Sequence, residues 1–430
     1  MKTKIQYFSL VTLLLILSTC ENSDDVSTPD PNNNAPDPFN LISINNNSSG
    51  LDLNQLSFTW EASTDPDGDS ITYDVYFGTD QASIDILINS TITTSYAFDG
   101  RFNTCTKYYW KVIAKDNRGG ETECISPFNF STRDLNINNM AFFDDLSFPR
   151  RARHQTIVYD NRIWVIGGAT KNGVTNNFIP YNNVYSAEDL TNWEEITNEA
   201  TSDMRFSKRY GHASVPFDSK MWVIGGNDGE LKNDIWSSTD GWNWVQETSN
   251  ANFPPMDHHK AVVFNNKIWL FHDDDVWNST DGITWTQINT QAGYLSREGY
   301  SVTVFKDEMY VIAGRTTPDD LKNDVWKSND GITWTQTTTS APFSARLHHT
   351  ATVFDDNLYV IGGLEQPILG ETNDVWKTSD GLSWSLITNN AVFEERLFHT
   401  ATVYKNQLII IAGAQDIFSG QGFQDVWVMD

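Results

Sequence analysis

The chain has 430 residues and a formal net charge of −27 at pH 7, and it carries 16 Trp, 15 Tyr and 24 Phe. The charge argues against nucleic acid as a partner, because a phosphate backbone is bound by neutralising it with Lys and Arg. The aromatic content excludes the low-hydrophobicity composition of a disordered chain, and the length has room for two or three domains.

Residues 1–19 read as a targeting segment. Lys2 and Lys4 precede a short apolar stretch, YFSLVTLLLIL, which is too short and one-sided for a stable membrane span. The stretch runs into LSTC, and a Cys after small residues resembles the bacterial lipoprotein signal. The resemblance implies lipidation of Cys20, which becomes the new N-terminus and anchors the chain to the bacterial outer membrane. Thr19 departs from the usual Gly, Ala or Ser at that place, and the alternative is an ordinary secretory signal with an incidental Cys20. The ENSDD that follows resembles the export tag of surface lipoproteins in some Gram-negative bacteria. Residues 20–37, acidic and then rich in Pro and Asn, read as a solvated linker.

Over residues 38–133, the segments LSFTWEAS, ITYDVYFGT, KYYWKVIAKD and SPFNFST alternate apolar and polar residues between turn-rich stretches, as half-buried strands do. With Trp60 on an early strand and Tyr108 to Asp116 on a late one, the segment resembles a fibronectin type III domain, an immunoglobulin-like β-sandwich. Cys105 and Cys124 suggest a disulfide in an exported chain. They flank a hairpin turning at DNRGG at unequal distances, Cys124 about four and Cys105 about thirteen residues from the turn, and that spacing disfavours pairing. DPDGD (Asp65 to Asp69) sets three carboxylates at alternate positions. They could ligate calcium or build a tight turn; the turn is the stronger expectation, because the spaced acidic residue of a full calcium loop is lacking.

From 137 to 430 the chain repeats itself. NDIWSSTDGWNWVQ, DDVWNSTDGITWTQ, NDVWKSNDGITWTQ and NDVWKTSDGLSWSL begin at 233, 274, 323 and 373. His154, His212, His259, Tyr300, His349 and His399 fall in register, with spacings of 58, 47, 41, 49 and 50 residues. Each is followed by an apolar strand, five of which end in Gly-Gly or Ala-Gly, then a variable loop and a strand of the form NDVW; four copies continue with an Asp-Gly turn and a strand carrying Trp244, Trp285, Trp334 or Trp384, and the first, diverged at AEDLTNW, keeps Trp193. Such a period is the signature of a repeat architecture. Asp-Gly between apolar runs predicts a hairpin whose turn needs positive φ, and a four-stranded sheet with two apolar faces must be covered on both sides, as it is when sheets are arranged radially. Fourteen of the 16 Trp lie here, and all but Trp242 fall on a repeat column, which argues for packing. The Arg-x-x-His start, the Gly-Gly and the later Trp together resemble the kelch repeat, which implies a six-bladed kelch-type β-propeller in an all-β chain. The Asp-Gly-x-x-Trp hairpins also resemble the Asp-box of sialidases, with Asp and Trp one residue closer. The sixth copy stops at DVWVMD, so Asn138 to Asp145 is expected to supply its outermost strand and seal the ring.

Three residues before the His column stand Arg151, Arg209, Met256, Arg297, Arg346 and Arg396, on the side of the variable loops. Arg presents a planar fork suited to carboxylate, phosphate or sulfate, and in kelch proteins this column can line the partner pocket. The five arginines are therefore the candidate ligand residues. The competing expectation is that each pairs with an acidic residue of its own or the next blade, since Asp234, Asp275, Asp324, Asp374 and Asp425 also form a column. Symmetry breaks in the third repeat, where Met256 replaces Arg, Phe271-His272 replaces Gly-Gly, and Asp273 to Asp275 replace the loop. Those aspartates are a weak cation candidate. The His column is expected to bond backbone carbonyls rather than metal, and His258 and His348 to point the other way. Propellers of this kind also carry galactose oxidase, but the propeller has no Cys for its Cys–Tyr crosslink.

These readings lead to a non-catalytic surface lipoprotein whose propeller mouth binds a protein or a glycan, with no cofactor and no metal assigned. Phe178, Tyr181, Phe418 and Phe423 are the aromatic residues on the long loops that a glycan would favour. The alternative is a sialidase-like hydrolase in which Glu298 and Tyr300 would serve beside Arg297.

Overall fold

β-Branched and aromatic residues alternating with polar ones dictate strands, and the computed structural model is built of strands, with no α-helix among the described residues. The structure describes residues 32–137, 140–144, 146–172, 177–196, 205–289, 292–294, 296–365, 370–416 and 422–429. Cys20 and the rest of the targeting segment lie outside them, as does Phe418. No helix among the described residues is long and apolar enough to cross a membrane.

The chain divides into two compact units, one of residues up to Gly100 with Thr106–Thr132, the other of Arg101–Cys105 and Arg133–Asp430. In the first, Leu41–Ser43, Ser57–Trp60 and Ser95–Ala97 form a three-stranded sheet. A larger sheet runs Ser48–Leu51, Phe128–Thr132, Lys107–Lys115, Thr72–Gly78 and Asp85–Thr91, with Glu121–Glu123 added on Lys107–Lys115. Lys107–Lys115 alternates buried Tyr108, Trp110, Val112 and Ala114 with outward residues. The two sheets meet through aromatic edges: Phe58 lies 4.9 Å from Trp110 and Trp60 lies 5.7 Å from Tyr73. Cys105 and Cys124 are free thiols.

The second unit holds six four-stranded antiparallel sheets among the described residues. Their innermost strands are Gln155–Tyr159, Ala213–Phe217, Lys260–Phe264, Ser301–Phe305, Thr350–Phe354 and Thr400–Tyr404. Each neighbours the next, and the sixth neighbours the first, so the sheets close a ring. One apolar cluster fills each space between sheets. Ala141–Phe143 pairs with Val426–Met429, in register Ala141 to Val428 and Phe143 to Val426, so the first strand of the unit does complete the last sheet.

Two glycine columns show what positions these sheets. The Gly that closes each Gly-Gly or Ala-Gly has positive φ, and a Cβ on Gly363 or Gly413 would sit 2.8 or 2.7 Å from the Cβ of His349 or His399. The Asp-Gly turn differs from the expected two-residue hairpin. Only the Gly has positive φ. The Asp acts through its side chain: Asp240 Oδ1 accepts from the backbone N–H of Trp242 and Asn243, and Ser238 Oγ accepts from that of Gly241. This Asx-type cap presses the Gly against an aromatic ring of the preceding sheet; a Cβ on Gly331 would lie 2.2 Å from Trp269.

Candidate functional site

The five candidate arginines are all buried, Arg297 at 2% exposure and the other four at 0%. Four of them make two-pronged pairs with the aspartate column of their own sheet. Arg209 donates to Asp234 at 2.7 and 2.8 Å, Arg346 to Asp374 at 2.6 and 2.7 Å, and Arg396 to Asp425 at 2.9 and 2.7 Å. Arg297 reaches Asp324 at 2.6 and 3.2 Å. Each guanidinium also donates to the carbonyl sixteen residues on, as Arg346 does to Gly362 at 3.0 Å. Trp236, Trp326, Trp376 and Trp427 donate their indole N–H to the same aspartates.

Arg151 is the exception in its partner: Asn183 stands where the other sheets have Asp, and its guanidinium rests among Phe148, Tyr181 and Tyr185 at 5.6, 5.1 and 5.0 Å. Burial pushes it down to about 10. The expectation that this column offers free forks to a ligand is therefore corrected. The forks are spent within the sheets, because a repeated cation with a repeated anion at fixed distance is satisfied locally before any partner arrives. In the third sheet, where Met256 takes the Arg place and is buried, Asp275 accepts from Gln287 at 3.2 Å, and burial raises its carboxyl.

The His column behaves as a brace between sheets, by a route not anticipated. His154, His349 and His399 bond hydroxyls of the neighbouring inner strand, Thr400 at 3.0 Å, Ser301 at 2.8 Å and Thr350 at 3.1 Å. The expected bond to a backbone carbonyl is also present: His259 meets that of Ile224 at 3.0 Å, and His212 and His399 interact with the backbone of Ile166 and Ile361. Burial lowers the imidazoles, to about 3 for His259 and His399.

The free groups lie one residue earlier than the His column. Arg153, Gly211, His258, Gly299, His348 and Phe398 ring the axis, and all six hold φ between 56° and 67°. Non-glycine residues enter this region at a cost and cluster where the fold over-determines them. Here a belt of backbone hydrogen bonds does so: Phe398 N–H donates to His348, Arg153 to Phe398, Gly211 to Arg153 and His258 to Gly211, at 2.7–3.2 Å. The turned backbone throws the side chains together at the loop end of the axis. The Arg153 guanidinium lies 4.3 Å from the Phe178 ring and 4.2 Å from that of Phe398, with Tyr210 at 5.5 Å. His348 stacks on Phe398 at 3.9 Å, and His258 lies 5.8 Å from Phe398 and 3.2 Å from Asp257. Arg153, Phe178, Tyr210, Asp257, His258, His348 and Phe398 are all half-buried, and Arg153 makes no ion pair with a described residue. Below them a channel of ≈190 Å³ runs between the inner strands.

The other candidates separate. Phe178 joins the mouth cluster, whereas Phe423 stacks on Arg396 at 4.4 Å and Tyr181 on Arg151. Glu298 is tied to Arg315, and Tyr300 is 3% exposed with its phenol pushed well up by burial, so they form no nucleophile pair. Asp65, Asp67 and Asp69 bring ligand atoms within 4.8 Å of one another. Their observed bonds are those of a turn: Asp65 Oδ1 accepts from the N–H of Asp67 and Asp69, and Asp69 pairs with Arg118 at 3.1 Å. Among the described residues, Asp273 to Asp275 bring no three ligand atoms together.

A closed ring of four-stranded antiparallel sheets is the build of a β-propeller. Comparison with known proteins agrees for part of the chain. Residues 271–430 match the KLHDC2/KLHL20/DRC7 Kelch-repeats domain and so form a kelch-repeat domain. The solved structure of YjhT, a kelch-type β-propeller, superposes with a TM-score of 0.52 at 15% identity, covering 66% of this chain and 95% of that one, which shows the fold alone. The chain is also 25% identical over 170 residues, 35% of its length, to the Drosophila melanogaster protein named leucine-zipper-like transcriptional regulator 1 homolog. It spans only 17% of that relative.

Proposed function

We propose that this chain is a non-catalytic surface lipoprotein of a bacterial outer membrane. Its six sheets are the blades of a kelch-type propeller, preceded by a fibronectin type III-like sandwich, and the propeller binds a protein or glycan partner at the loop-side mouth. The observation that carries this reading is Arg153, a cation without a carboxylate, laid between the rings of Phe178 and Phe398 at the centre of the loop end. Arg and aromatic side chains supply most of the energy at binding surfaces. A guanidinium set against two rings and lacking a carboxylate partner among the described residues has N–H groups to offer a carboxylate or hydroxyl, and the rings themselves suit a sugar face or an apolar side chain. The buried arginine column contributes by holding this end rigid. Kelch propellers commonly bind proteins, which favours a protein partner; that partner needs a contact surface wider than the mouth, of the order of 800 Å² per side.

The test is a screen of the full-length protein in detergent against a glycan array and a displayed peptide library, repeated with Arg153→Ala. Ligands of the native chain are expected to bind the variant at least tenfold more weakly. Undiminished binding of those ligands would remove the mouth from consideration.

A further inference from the structure

The axial channel raises a separate question of charge. Among the described residues no Asp or Glu lines its ≈190 Å³, in a chain whose net charge is −27. Its wall carries Lys260 at the start of the third inner strand, with no hydrogen bond or ion pair to any described residue. The position after the His column explains why. In the other sheets it holds Gln155, Ala213, Ser301, Thr350 and Thr400, all neutral, and the hydroxyls of Ser301, Thr350 and Thr400 are each bonded to an imidazole of the next sheet. At the third sheet both members differ: Lys260 replaces the hydroxyl and Tyr300 replaces the imidazole. The link is not made, and the ammonium is left in the channel. This is the same repeat that gives up its buried Arg for Met256. Burial lowers the Lys260 ammonium to about 8, the mark of a cation whose lost hydration nothing in the protein replaces.

We propose that the axial channel is a binding site for a small oxyanion, such as inorganic phosphate or the carboxylate of a small acid, held by Lys260. Lys260 is half-buried in a channel wall that offers it no counter-charge, and an anion there would restore the interactions that its partial burial removes. The partner that suits it is an anion, because no Asp or Glu among the described residues lines the channel, and a small one, because the site lies between the inner strands. Arg153, at the loop end of the same channel, adds a second positive field. Lys260→Met changes the channel wall and does not alter Arg153 or its rings at the mouth, so loss of the anion and loss of a mouth ligand can be told apart.

The full-length protein in detergent is titrated calorimetrically with sodium phosphate and, separately, with sodium acetate at fixed ionic strength, for the native chain, Lys260→Met and Lys260→Arg. The native chain and Lys260→Arg are expected to show saturable one-to-one binding of at least one of the two. Preference for phosphate points to an inorganic oxyanion, preference for acetate to a carboxylate, and Lys260→Met is expected to weaken either at least tenfold. No saturable binding by the native chain, or equal binding by Lys260→Met, overturns the proposal. Should Lys260→Met fail to fold, native crystals soaked in bromide decide: an anomalous peak beside Lys260 Nζ supports the site, and its absence overturns it.

Discussion

Two kinds of arginine occupy the loop end of the ring, and burial separates them. Arg346 is closed in with Asp374, so Arg346→Ala leaves a buried carboxylate alone and should cost about 3–5 kcal/mol, read as a fall in melting temperature. Arg153 is held by ring faces only, and Arg153→Ala should cost about 0.5–2 kcal/mol. The sequence displayed both the Arg and the Asp columns, but repetition suits packing and a ligand ring equally, and only distance decides between them. Arg153 escaped notice because its column reads Arg, Gly, His, Gly, His, Phe; the shared property is a left-handed backbone, which a sequence betrays only at the two glycines. The His column supports a pH prediction. His399 is lowered from an ordinary 6.5 to about 3. The unfolded chain therefore binds more protons than the folded one between those values, and stability should fall as pH drops from 6.5 towards 3, by about 1.4 kcal/mol per pH unit for each such histidine. His399→Gln should flatten that slope in acid denaturation curves; an unchanged slope would place the acid sensitivity in the carboxylates.

Among the elements, strands were legible because alternation and β-branching act locally, and the closing strand was legible by counting: a sheet short of one strand at the C-terminus needs one from the N-terminus. Ala141–Phe143 fills that place. A chain begun at residue 150 should therefore melt below one begun at 136, and equal melting would mean that this strand seals nothing. The Asp-Gly hairpins were found in the right places with the wrong turn, since an Asx cap and a two-residue turn draw on the same residues. The structure adds the reason for the Gly: at Gly331 a methyl group would meet both an unfavourable φ of 71° and the Trp269 ring. Gly331→Ala should thus destabilise by more than about 1 kcal/mol, measured by denaturant titration.

For the whole molecule, fold class was the most legible property, because a 41–58-residue period with fixed aromatic columns admits few architectures. The ligand was the least legible, since it depends on side chains brought together by backbone turns hundreds of residues apart. Attachment to the membrane rests on Cys20 and its flanks; Cys20→Ser should release the protein from the membrane fraction and abolish uptake of labelled fatty acid, and continued sedimentation with label would refute lipidation. The central claim is that the mouth around Arg153 meets the partner while the arginine column only holds the ring. Melting and affinity, measured side by side for Arg153→Ala and Arg346→Ala against one ligand selected on the native chain, test it most directly. The account predicts that Arg153→Ala loses at least tenfold in affinity with a melting point lowered by no more than about 4 °C, and that Arg346→Ala melts well below the native chain yet binds normally while folded. Lost affinity in Arg346→Ala with native melting, and full affinity in Arg153→Ala, would contradict it.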